Sequence, residues 1–156
     1  MQMIARERVP FSDPTLTAEG EPRASVSPRA LSTVWLNTGT LCNLTCENCY
    51  IESSPKNDRL EYLRRDDVRA VLDEIASGDL PVEEIGITGG EPFMNPDILQ
   101  ILEDSLSAGH QVLMLTNAMR PMMKVADGLR GLNERYRDQL TVRVSIDHFD
   151  QALHEE

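Results

Sequence analysis

Three cysteines fall within eight positions, in the stretch CNLTCENC, and the rest of the chain has none: Cys42, Cys46 and Cys49. Thiolates are soft ligands that suit zinc or iron–sulfur centres. With three and two intervening residues, one loop can wrap a metal centre through all three. A structural zinc site takes four protein ligands, and no histidine lies nearer than His110. Three thiolates fit better on a [4Fe–4S] cluster, whose irons are otherwise held by cysteine. One iron would then lack a protein ligand and stand open to a substrate or cofactor. A non-catalytic metal module, structural zinc or an electron-transfer iron–sulfur centre, is the alternative. A disulfide framework would strand one thiol of the three.

A second stretch, TGGEP at positions 88–92, also has chemistry in it. Gly89 and Gly90 permit unusual dihedrals and close approach of a ligand to backbone. Glu91 sets a carboxylate beside them that can accept hydrogen bonds from an ammonium group. Pro92 fixes the exit of the chain.

These residues need elements to hold them, and the pattern supplies a rhythm. A short apolar run over Thr33–Asn37 reads as a first strand. Positions 66–77 place Val68, Val71, Leu72, Ile75 and Ala76 on one helical face, with Gly78 as a stop. The second strand is expected over 83–88. Asn95 is expected to cap the next helix, with Pro96 at its first position. Ile98, Leu99, Ile101, Leu102 and Leu106 continue that helix, and Gly109 ends it. The third strand is Gln111–Thr116. Pro121 opens a third helix with Met122, Val125, Ala126, Leu129 and Leu132 inward, although Gly128 and Gly131 weaken it. Met122 and Met123 read as core rather than as sulfur ligands. The fourth strand is expected over 139–146, with Val142, Val144 and Ile146 on one face and Arg143 and Ser145 on the other. Positions 150–156 read as the start of a fourth helix. His154 reads as an exposed residue of that helix.

Strand and helix alternating at this spacing mean βα units, a parallel sheet and an α/β fold. Ligands in such folds bind at the carboxyl ends of the strands. The cysteines follow the first strand and TGGEP the second; Thr116 and Asn117 follow the third, Ser145, Asp147 and His148 the fourth. Positions 1–31 carry prolines and mixed charge without helix or strand period, and read as an irregular N-terminal extension to a domain over 32–156.

Composition narrows the partners. Lys plus Arg number 15 against 26 Asp plus Glu, a net charge of −11. That repels phosphate backbones and anionic lipid, so nucleic acid and membrane partners are disfavoured. No apolar run approaches the ~20 residues of a membrane span, and positions 1–14 lack the apolar core of a secretory leader. The thiols are therefore expected in a reducing cytoplasm.

Together, CNLTCENC and GGEP about 40 residues on, set on a βα rhythm, resemble the radical S-adenosylmethionine (SAM) superfamily over 33–150. The resemblance implies a partial TIM-like barrel. Cys42, Cys46 and Cys49 would bind three irons of the cluster, and the amino and carboxylate groups of SAM the fourth. Gly89, Gly90 and Glu91 would line the methionine amino group, with Pro92 closing the motif. Thr116, Asn117, Ser145 and Asp147 would contact the methionine or ribose parts. The superfamily often has an aromatic before its third cysteine; here Asn48 stands there, and Tyr50 would take its place against adenine. Asp147 or His148 are candidates for a substrate-side acid or base. The implied activity is reductive cleavage of SAM to methionine and a 5′-deoxyadenosyl radical that abstracts hydrogen from a substrate. The electron would come from an external donor such as flavodoxin or ferredoxin. The resembled barrel usually has six βα units. Four strands are read here, so the chain is expected to be the cluster-bearing fragment of such an enzyme, with a bare fourth-strand edge.

Overall fold

The computed structural model describes residues 13–27 and 30–146. Its order is β1 (Thr33–Asn37), α1 (Arg65–Ser77), β2 (Glu84–Thr88), a 3₁₀ turn (Pro92–Met94), α2 (Ile98–Ser107), β3 (Gln111–Thr116), α3 (Arg120–Lys124), α4 (Ala126–Tyr136), a second 3₁₀ turn (Arg137–Gln139) and β4 (Leu140–Val144). The strands form one open parallel sheet in the order β1-β2-β3-β4. Among the described residues no helix is long and apolar enough to cross a membrane. Before β1, residues 13–27 hold a tight turn closed by an antiparallel bridge between Leu16 and Pro22.

Strand register decides which side chains are buried. Leu36 pairs with Ile87, Ile85 with Val112, and Ile87 with Met114. This row meets Val68, Leu72 and Ile75 of α1 and Ile98, Ile101, Leu102 and Leu106 of α2 in the core. Each such side chain contributes about 1.5–3 kcal/mol relative to exposure, so the helices are held mainly by this face. Asp104 of α2 ties it to α1, accepting from Arg65 Nε at 2.7 Å and Arg69 Nε at 2.8 Å. The opposite face carries Trp35, Gly86, Leu113 and Thr141 in one row. A Cβ on Gly86 would lie 2.5 Å from the Trp35 ring, so glycine is what lets the indole lie across the sheet.

Several expectations are corrected. Asn95 does not stand at the N-cap of α2; Asp97, two residues later, does, without a side-chain capping bond. Asn95 is buried instead, its amide donating to Leu63 O at 2.8 Å and Thr38 O at 3.3 Å while its Oδ1 accepts from Asp97 N. Pro92 rather than Pro96 begins helical structure there, as a 3₁₀ turn. The third helix is two, α3 and α4, broken at Val125, whose φ of −111° leaves the helical range. Gly128 serves packing, because a Cβ there would come 2.4 Å from Leu99 Cδ1 of α2. Met122 packs on the core, whereas Met123 is 64% exposed and is no core residue.

The fourth strand ends at Val144, shorter than expected. Its faces divide as read: Val142 and Val144 lie in register with Met114 and Thr116 of the helix-facing row. They are nonetheless exposed, as is Ile146, because β4 is the sheet edge. Asp147, His148 and the expected helix over 150–156 lie outside the described residues.

Candidate iron–sulfur and cofactor site

The site begins where β1 and β2 end, because their pairing runs on past the strands. Thr38 N donates to Thr88 O at 2.8 Å, Gly90 N to Gly39 O at 2.8 Å, and Glu91 N to Leu41 O at 3.0 Å. This ladder leads the chain straight into Cys42. It also explains the glycine pair. A Cβ on Gly89 would meet Thr38 Oγ1 at 2.5 Å, and one on Gly90 would meet Leu41 O at 2.2 Å. Gly89 further sits at φ +153°, a conformation that side chains disfavour. The chain's own segment 38–41 makes such a close approach to both glycines. The base of the cysteine loop is closed by Cys42 N donating to Ser54 O at 3.1 Å and by a parallel bridge between Leu41 and Ser54.

Within that loop, turns aim backbone donors at sulfur. Leu44 N donates to Cys42 Sγ at 3.4 Å. Glu52 N bonds Cys49 O, and Glu52 adopts a left-handed φ of 54°, which swings Ser53 N back to Cys49 Sγ at 3.3 Å. The two thiols differ as a result. Burial pushes Cys42 up; the Leu44 N–H opposes this, and the negative charges of Glu91, Cys46 and Cys49 add to it. Burial also raises Cys49, but the N–H groups of Ser53, Ile51 and Glu52, with the Ser53 hydroxyl, outweigh it and hold the thiol below its usual value. Cys46 is exposed.

Glu91 is 2% exposed and turned inward. Its Oε1 accepts from Thr116 Oγ1 at 2.8 Å and Phe93 N at 3.1 Å, and its Oε2 from Asn117 N at 2.9 Å. Burying a carboxylate requires such donors. Thr116 Oγ1 also accepts from Ala118 N at 2.9 Å, and Asn117 Oδ1 from Met119 N at 3.0 Å. With its backbone so fixed, Asn117 reaches its amide to Asn43 Oδ1 at 3.1 Å and Cys42 Sγ at 3.8 Å. One buried carboxylate therefore connects the ends of β2 and β3 to the first cysteine.

A cleft of ≈ 210 Å³ opens on this rim. Cys42, Cys46 and Cys49 line it together with Gly89 and Gly90, Thr116 and Asn117, Ser145 and Tyr50. Tyr50 is 80% exposed at its edge. Ser145 is held by its N–H bond to Thr116 O at 2.9 Å. Glu91 and Pro92 are buried and do not line the cleft; Asp147 and His148 fall outside the described residues. Leu44, Ser53, Thr88 and Leu115 also line it, and none of these was singled out from sequence.

The residues present fit an iron–sulfur cluster. Among the described residues no three His, Cys, Asp or Glu side chains gather on one ion. A [4Fe–4S] cluster instead takes each thiolate on a different iron, so its ligands stand apart around a shared space. N–H groups already point at two of the sulfurs. Ser53 Oγ is buried with no partner at hydrogen-bonding geometry, in the wall of the same cleft. An unmade buried hydroxyl costs about 1–3 kcal/mol.

Comparison with known proteins agrees. The profile of the Radical SAM superfamily, whose cofactors are a [4Fe–4S] cluster and SAM, matches residues 36–156. The AdoMet-dependent heme synthase of Methanosarcina barkeri is 29% identical over 114 residues, covering 73% of this chain and 30% of that protein. A GTP 3′,8-cyclase of Tolumonas auensis is 33% identical over 121 residues, covering 74% of this chain and 32% of that protein. Streptococcus suis SuiB, solved bound to S-adenosylmethionine, superposes with a TM-score of 0.64 at 20% identity, over 80% of this chain and 27% of that one, and shows the shared fold. The chain spans less than a third of the length of each of these proteins. It belongs to the Radical SAM superfamily.

Proposed function

We propose that this chain is the cluster- and SAM-binding part of a radical SAM enzyme. The observation that carries this is one cleft lined by Cys42, Cys46 and Cys49 together with the Gly89–Gly90 strand end. In this reading the three thiolates each hold one iron, and the fourth iron is left to the amino and carboxylate groups of SAM. Gly89 and Gly90 present backbone to the SAM ammonium. Glu91 lies below the cleft and acts through Thr116 and Asn117, whose positions its carboxylate fixes. Thr116, Asn117 and Ser145 face the methionine and ribose parts, with Asp147 following in sequence, and Tyr50 at the edge faces adenine. Cluster and SAM together supply, when bound, a one-electron reductive cleavage that yields a radical able to take hydrogen from a substrate. The chain's own work is to orient them and exclude water. Cys46 and Tyr50, at the exposed side, set the face that an external one-electron donor such as flavodoxin or ferredoxin would approach.

The relatives differ in what their names say they make, a heme and a cyclised GTP, so they select no substrate for this chain. The test is anaerobic reconstitution followed by dithionite and SAM. The reading expects about four irons and four sulfides per chain and formation of 5′-deoxyadenosine and methionine. It expects both to be lost in Cys42→Ser. Zinc bound in place of iron, or a cluster whose reduction leaves SAM intact, would point to the metal-module alternative.

A further inference from the structure

We infer that Ser53 is a positioning residue of the cluster loop, donating its hydroxyl hydrogen to the Cys49 sulfur once that sulfur is ligated to iron. This rests on the cluster reading above and adds a residue to it. Ser53 is 4% exposed, and its Oγ is the buried side-chain polar atom left without a partner among the described residues. The other buried polar side chains of the site are engaged: Thr38 with Thr88 O, Thr40 with Asn57 O, Thr116 with Glu91, and Asn95 with Thr38 O and Leu63 O. A native structure leaves such a group unmade mainly where something else completes it.

Geometry indicates what that is. Ser53 lines the cleft beside Cys49, and its own backbone N–H already reaches Cys49 Sγ at 3.3 Å. The left-handed Glu52 turns the Ser53 backbone N–H onto that sulfur and leaves the hydroxyl in the wall of the same cleft. A neutral thiol is a weak acceptor, and the hydroxyl stands too loosely for a geometric bond to it. An iron-bound thiolate carries more charge and draws the O–H in. Hydrogen bonds to cluster sulfurs stabilise the reduced, more negative cluster, and so raise its reduction potential.

The test uses the full chain with Ser53→Ala and Ser53→Thr, reconstituted anaerobically. The midpoint potential is read by redox titration with paramagnetic resonance, without SAM. Ser53→Ala is expected to keep its iron but shift the reduction equilibrium about tenfold toward the oxidised cluster, about 59 mV for one electron. Ser53→Thr, which keeps the hydroxyl, is expected to recover at least half of that shift. In the metal-free chain Ser53→Ala is expected to leave Tm unchanged or raise it by about 2–4 °C, because the hydroxyl there makes only a loose approach to the Cys49 sulfur and no bond of hydrogen-bonding geometry. A Ser53→Ala cluster with the wild-type potential overturns the inference, and this includes the case in which only SAM affinity changes. So does a metal-free Ser53→Ala chain that melts lower. If the wild-type chain takes up no cluster, the functional reading fails first and the inference falls with it.

Discussion

Replacing Glu91 with glutamine keeps shape and burial but removes one acceptor oxygen and the charge. In the structure three donors converge on the two oxygens: Phe93 N and Thr116 Oγ1 on Oε1, and Asn117 N on Oε2. If the amide oxygen takes the Oε1 position, the amide nitrogen meets Asn117 N–H, donor against donor. If it is flipped, Phe93 N–H loses its acceptor instead. Either way one backbone N–H is left buried and unmade, at about 1–3 kcal/mol, and the surviving bonds lose charge assistance. The sum is about 2–4 kcal/mol, a large share of the roughly 5–15 kcal/mol that a domain has in total. The assay is urea unfolding of the metal-free chain under anaerobic reducing conditions, read by circular dichroism, with the slope unchanged. Iron uptake is the second readout: with Asn117 N released, the Asn117 amide no longer holds Asn43 and Cys42, so reconstitution slows. A Glu91→Gln chain within about 0.5 kcal/mol of wild type, the range of a neutral surface change, would show that these donors do not hold the carboxylate. The direct contact with an ammonium, expected from sequence, would then return.

Two further substitutions separate glycines that look alike in sequence. Gly90→Ala puts a Cβ 2.2 Å from Leu41 O, a backbone atom that cannot rotate away. It should cost roughly 2–4 kcal/mol and lower cluster uptake, because the displaced segment leads into Cys42; urea unfolding and iron content check both. Gly131→Ala in α4 meets nothing within 4 Å, so it should gain roughly 0.5–1 kcal/mol from helix propensity, seen as a higher Tm with cluster loading unchanged.

The fold class, the parallel order and the rim of the site could be read from sequence because each has a local signal. Short apolar runs marked the strands, period-3.6 runs marked α1 and α2, and cysteine and glycine spacing marked the rim. What escaped depends on contacts distant in sequence. Asn95 before Pro96 carries every local sign of a helix cap, yet its amide is taken by Thr38 O and Leu63 O. Nothing in TGGEP says that Glu91 turns inward, since its donors come from the end of β3. The same holds for the glycine pair, whose neighbour is backbone more than 45 positions earlier. Gly128 reads as a flaw in a helix until Leu99 of α2 is seen against it. Ser53 is silent in sequence because a serine in a loop is ordinary; only its burial without a partner makes it unusual.

In the proposed function Cys42, Cys46 and Cys49 hold a cluster with one iron open to SAM. Electron paramagnetic resonance of the anaerobically reconstituted, dithionite-reduced chain, with and without SAM, tests it most directly. The expected result is a [4Fe–4S]⁺ signal that changes on adding SAM and is absent from Cys49→Ser. A chain that forms no cluster, or a cluster signal that SAM leaves unaltered, would contradict it.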